Sequence, residues 1–200
     1  MRIRIRLILF TIYILGILCV SKFSGHSSRA SISQNTPRFG KVEIRLRLER
    51  KTMEASNQYA VWIQNQKGEV VKTLFVTRYA AEGGYEVQPD CLPRWVDRAD
   101  APSIPQDEID GFAGATPQSG WHTYTWDGTD RQGKQVSPGF YNFIVEGSYN
   151  RQNRVIFMGL ISTRGQETTV EAQPGFYPEE YSVFGSNMLE RVSATYIPPN

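Results

Sequence analysis

Cysteine and histidine are scarce in this chain of 200 residues, with two of each. Cys19 and His26 fall near the N-terminus, which leaves Cys91 and His122 alone in the remainder. No His/Cys cluster of metal-ligand spacing exists, so the sequence gives no support for a zinc or c-type haem site. Once a leader is removed, no intrachain disulfide forms, even in a compartment that permits one. Cys91 reads as an ordinary, partly buried thiol, with a redox or interchain role as the other reading. An excess of one charge is also missing: 22 Lys and Arg oppose 20 Asp and Glu, for a net charge of +2. A polyanionic partner rewards clustered Lys and Arg, so nucleic acid is excluded as a ligand. A long apolar run is lacking too. Leu7 to Val20 spans 14 residues and is interrupted by Thr11 and Gly16, short of the roughly 20 that a stable membrane span needs.

That short run nevertheless follows Arg2, Arg4 and Arg6 and precedes a Ser-rich stretch, Ser21 to Ser33. A basic start, a short apolar segment and small residues after it form the physical grammar of a secretory signal. Residues 1–30 therefore read as a signal peptide, with Ser28 and Ala30 as a small-x-small cleavage site. The alternative is an uncleaved N-terminal anchor, which would be the chain's contact with a membrane. Ile17 and Leu18 ahead of Cys19 make a poor lipidation site. Residues 31–40 read as a linker, and the expected location is the periplasm, free or tethered to the inner membrane. The leader holds five of the 22 basic residues and no acid, so 17 remain against 20 acidic residues, a balance of −3 beyond it.

What is abundant is aromatic and β-forming. Phe, Tyr and Trp make up 12% of the chain, enough apolar surface to offset the ordering entropy of a folded core. Residues 41–50, KVEIRLRLER, alternate strictly, with Val42, Ile44, Leu46 and Leu48 on one face. A period of two predicts a strand with one wet and one buried face. Tyr59, Val61 and Ile63 repeat it, with Trp62 on the other side, and Asn65 to Gly68 predict a hairpin turn into Glu69 to Thr77. Strand character returns at His122 to Trp126, at Tyr141, Phe143 and Val145, at Val155 to Thr163, at Thr168 to Ala172 and at Leu189 to Tyr196. About eight short strands without a long amphipathic helix predict an all-β, immunoglobulin-like antiparallel sandwich over residues 41–200.

Over residues 79–120 alternation stops, and Pro89, Pro93, Pro102, Pro105 and Pro117 punctuate a long insertion. An unpatterned stretch of that length inside a domain is functional, an ordered Ω-type loop, or disordered. Leu92, Trp95, Val96, Ile109 and Phe112 predict that much of it packs on the sandwich, and any site is expected here. Its carboxylates, Asp97, Asp100, Asp107, Glu108 and Asp110, lack the D-x-D-x-D-G order of a calcium loop and read as a solvated acidic surface. Tyr85 and Trp95 suit stacking on a planar ligand and core packing equally. No G-x-S-x-G elbow accompanies His122, so hydrolase chemistry is not expected.

Trp126 to Gly147, WDGTDRQGKQVSPGFYNFIVEG, resembles the W-D-G-x-D-x-x-G-x-x-V-x-x-G-x-Y signature of the immunoglobulin-like segment of flagellar hook-capping proteins and of exported bacterial sandwich modules. The resemblance implies Asp127 and Asp130 bracing a turn, Gly128, Gly133 and Gly139 supplying unusual φ, and Trp126 and Tyr141 in the core. More widely, residues 41–172 resemble the predicted periplasmic domain-of-unknown-function 2271 family, on YAVWIQNQKGEVVKTL, CLPRW and IDGFAGATPQSGWHTYTWDG. That resemblance implies an exported immunoglobulin-like sandwich without assigned activity, often encoded near flavin transferases and PepSY-type membrane proteins. The expected function is therefore a non-catalytic accessory or interaction protein, with a membrane redox protein or flavin transferase as the partner suggested.

Within the insertion, Asp110-Gly111-Phe112-Ala113-Gly114-Ala115-Thr116 resembles the D-x-x-[ST]-G-A-[ST] acceptor of proteins that receive FMN covalently from a flavin transferase. The resemblance implies a phosphoester on the hydroxyl of Thr116, small Gly114 and Ala115 letting the segment enter a transferase, and Asp110 as the upstream carboxylate; this is the alternative, an electron carrier. Ala113 stands where Ser or Thr is usual and Pro117 follows the acceptor. The other reading is a tight loop before a strand, with Thr116 bonded to its own backbone and no cofactor.

Overall fold

In the computed structural model, which describes residues 38–51, 56–148, 153–177 and 188–200, strand β1 (Lys41–Leu48) buries Val42, Ile44, Leu46 and Leu48 and turns Lys41, Arg45 and Arg47 to solvent. An apolar row of this kind needs a second layer. β1 lies in a four-stranded antiparallel sheet ordered β5 (Gly120–Trp126), β1, β10 (Leu189–Ile197), β8 (Thr168–Glu171). The facing sheet runs β4 (Ala113–Gly114), β3 (Val70–Thr77), β2 (Gln58–Gln64), β6 (Phe140–Ser148), β7 (Arg154–Ser162), β9 (Gln173–Tyr177). All its pairs are antiparallel except β3–β4, which is parallel because the chain returns to β3 through the insertion rather than a hairpin.

The all-β sandwich is as expected, with ten strands among the described residues against about eight from the pattern. The additions are the two-residue β4 and β9. Pro174 and Gly175 are residues that ordinarily punctuate strands, but β9 is an outer strand, where a missing N–H can face away from the ladder. The leader, residues 31–37 of the linker and residues 178–187 of the connection before β10 lie outside the described residues.

Between the sheets, Tyr59, Val61 and Ile63 of β2 and Phe143 and Val145 of β6 meet the β1 row. Trp126 packs edge-on against Tyr141 at 4.8 Å and Phe39 at 4.9 Å between ring centres. The turn after Trp126 is braced as its carboxylates predict. Asp127 Oδ1 accepts the Thr129 N–H (3.0 Å) and hydroxyl (2.7 Å), and Asp130 Oδ1 accepts the N–H groups of Gln132 (3.0 Å) and Lys134 (2.8 Å). Burial works to raise the Asp127 carboxyl, but the Thr129 bonds outweigh it and hold the group below its ordinary value. Gly128 and Gly133 take φ of +79° and +76°, while Gly139, expected to share this role, does not.

The insertion departs from expectation in being regular. It forms a π-helical turn at Ala80–Gly84, then α1 (Tyr85–Val87), α2 (Pro93–Ala99), a 3-10 turn at Ala101–Ser103 and α3 (Gln106–Phe112). The prolines that break the pattern mark helix starts: Pro93 opens α2, Pro102 lies in the first turn of the 3-10 segment and Pro105 precedes α3. There the fixed ring φ suits the helix and no helical N–H is lost. Leu92, Trp95, Ala99, Ile104 and Ile109 form a second core with Ala60, Trp62, Val76, Ile144 and Ile156 on the outer face of the six-stranded sheet. Every residue of β2 is consequently buried, on both faces.

Candidate functional site

The flavin-acceptor resemblance falls where this helical layer returns to the sheet. Asp110, exposed in α3, accepts a 3.0 Å bond from Gln106 Nε2 one turn earlier. Gly114 is paired in β4 opposite Thr77. A Cβ at Gly114 would sit 2.6 Å from Phe75 Cε2, so close packing on an aromatic ring explains the small residue. Ala115 is exposed, and Thr116 is half-buried, its Oγ1 donating to the Asn57 carbonyl at 3.3 Å. The bond reaches across to the start of β2, rather than to the local backbone. Asn57 is itself fixed at φ +50°, its side chain exchanging two bonds with the Lys51 backbone (2.8 and 2.9 Å).

Asp110 and Thr116 thus have separate partners and are not brought together. A phosphoester acceptor needs a free hydroxyl on a segment that can enter an enzyme cleft. Here the hydroxyl is bonded and the flanking Gly114 is held in a ladder, so residues 110–116 in this arrangement do not fit FMN attachment. Beneath them, Tyr59, Phe75 and Tyr124 pack as an aromatic group, with Tyr59–Phe75 centres 4.9 Å and Phe75–Tyr124 centres 5.1 Å apart and the two phenols hydrogen-bonded. Burial, then the proximity of Tyr124, pushes the Tyr59 phenol far up, so it stays protonated.

The pattern concealed Glu146. In β6 it alternates onto the same face as Asn142, Ile144 and Ser148, which reads as the wet side. The helical layer covers that side and leaves Glu146 fully buried. Its Oε2 accepts the Trp95 N–H at 2.8 Å and Oε1 the Arg94 N–H at 3.2 Å, satisfying open donors in the first turn of α2, and Arg154 Nε lies 3.7 Å from Oε1. Burial pushes its pKa up to about 7, opposed by these amides and by the Arg154 and Arg94 charges. Trp62 and Ile144, large apolar residues on the supposedly wet face, were the signal that something covers it.

Cys91 lies beside this carboxylate and is fully enclosed, 3% exposed. Burial first, and the Glu146 charge second, raise its thiol to about 12. Trp95 is wholly buried, edge-on to Phe112 at 6.2 Å and 3.3 Å from Thr73 Oγ1 through Nε1, so it offers no stacking face to a ligand. His122 binds the Gln118 carbonyl at 2.8 Å. The acidic residues are dispersed rather than gathered: Glu108 grips Arg131 at 2.8 and 3.3 Å, and no group of three metal-ligating side chains occurs among the described residues.

Two facing sheets, antiparallel except for the β3–β4 pair and one carrying a helical layer pinned by a buried carboxylate, define a β-sandwich module with a covered face. The chain belongs to the family described as predicted periplasmic protein (DUF2271), whose model matches residues 40–177, from just before β1 to the end of β9. No curated protein and no solved structure matches the chain. Among the described residues, no helix is long and apolar enough to cross a membrane.

Proposed function

We propose that the protein is an exported, non-catalytic module that acts by binding, as an accessory to a membrane-associated redox partner. The observation that carries this reading is the use made of Glu146: a buried carboxylate of raised pKa, the kind of group that marks catalytic sites, accepts two amides of α2 and holds the helical layer in place. Cys91 and Thr116 are likewise committed to packing and to a backbone carbonyl. The periplasmic family supports export, and the flavin and PepSY company implied by the resemblance gives the partner class to try first.

The alternative, an electron carrier with FMN on Thr116, is tested in the same preparation. Protein co-expressed with a flavin transferase and recovered from the periplasm is expected to show the mass of the unmodified polypeptide and no visible flavin absorbance. A flavin-sized mass increment that disappears in Thr116→Ala would replace the accessory reading with the carrier.

A further inference from the structure

At the end of the sandwich where β1 begins and β10 finishes, a cleft of about 630 Å³ opens, within the range of roughly 300–1,000 Å³ typical of small-molecule sites. Four stretches distant in sequence build it: Arg38 ahead of β1, residues 135–138 of the β5–β6 connection, residues 163–165 between β7 and β8, and the end of β10. Two arginines line it, Arg38 and Arg164, and no Asp or Glu does. Neither arginine takes part in an ion pair among the described residues. Beyond the leader the chain carries more acid than base, so this cationic pair is a local concentration and not the molecule's average.

The cleft is built to hold its shape. Arg164 Nε donates to the Pro138 carbonyl at 2.8 Å, which orients the guanidinium and leaves its terminal N–H groups for another acceptor. Behind it, the Gly139 carbonyl accepts the Thr163 N–H (2.8 Å) and hydroxyl (3.1 Å), and the Tyr141 hydroxyl donates to the Ser137 carbonyl at 2.6 Å. Val136 and Pro199 supply an apolar wall, with the buried Tyr196 behind it. Guanidinium forks match the oxygens of carboxylates and phosphates, and an apolar wall beside them suits a ring or short hydrocarbon.

We propose that this cleft binds a small organic anion, its phosphate or carboxylate headgroup held between Arg38 and Arg164 and its apolar body laid against Val136 and Pro199. The assignment does not depend on the accessory role, because it concerns a different end of the molecule. A soluble ester and a lipid headgroup present the same chemistry, so the test has two arms. Full-length protein is titrated calorimetrically with phenyl phosphate, with phenol and inorganic phosphate as the separated halves, and is floated with vesicles of phosphatidylglycerol against vesicles of phosphatidylcholine. The expected result is saturable binding of phenyl phosphate, tighter than either half, weakened about tenfold or more in Arg38→Gln and in Arg164→Gln, as for loss of a charged hydrogen bond. If the natural source is a lipid, flotation with phosphatidylglycerol alone is lost in the same variants. Arg38 is exposed, so Arg38→Gln retains the fold and its melting temperature serves as the control. Binding in neither arm, or binding unchanged in both variants, overturns the proposal.

Discussion

Glu146 is the residue whose chemistry is most displaced by the fold, and its effect on stability has a definite sign. Its pKa rises from 4.5 to about 7 on folding. Between those values the folded state holds a proton that the unfolded chain has released, so stability falls as pH rises from about 4.5 to about 7 and levels off above. The amplitude from this one group is on the order of 3 kcal/mol. Asp127 has the opposite sign, with a depressed folded pKa, and its contribution is lost only at pH below the ordinary carboxylate range. Denaturant titrations across pH 4–8 are expected to show the decline in the native chain and a flat profile in Glu146→Gln; a decline that persists in the variant would assign it elsewhere. Cys91 gives a second residue-level test. A thiol at about 12 leaves roughly one molecule in ten thousand as thiolate at pH 8, so iodoacetamide should label it only after unfolding. Rapid labelling of the native protein would place Cys91 at the surface.

Among the elements, α2 and its neighbours do what no strand pattern suggests: they give β2 a second buried face. Trp95 is their largest anchor, fully buried and bonded to Thr73. Trp95→Ala is expected to lower the unfolding free energy by about 3–5 kcal/mol, measured by urea titration; a loss below about 1 kcal/mol would mean that the helical layer is not coupled to the sheet. The same elements show what was legible in the sequence. β1 was legible because eight residues alternate without exception. The β2–β3 hairpin was legible because Asn65 and Gly68 carry turn chemistry, realised as two N–H bonds to Asn65 Oδ1 and φ +83° at Gly68. The helices were not, because α2 and α3 have seven residues each, too few to display a 3.6 period. Trp95 and Ile109 still announced that the insertion packs. Glu146 was not legible because strand alternation reports which residues share a face, not whether another layer covers it. Arg38 and Arg164 were invisible as a pair, since only the closure of the sandwich brings residues so far apart to one cleft.

At the scale of the whole molecule, the family match, the two sheets and the helical layer describe a periplasmic-type sandwich in which the long insertion belongs to the structure. Its apolar residues fill a second core, Glu108 and Asp110 are bonded to Arg131 and Gln106, Gly114 packs on Phe75, and its return strand β4 is laddered to β3. The insertion is thus a fixed layer of the fold rather than a loop free to meet an enzyme. Native-state hydrogen exchange tests this most directly. The amides of Trp95 and of the paired β4 segment are expected to exchange at the rate of the β2 and β6 amides, opening only with global unfolding. Exchange of residues 79–117 through a separate low-energy opening, while β2 and β6 stay protected, would contradict it.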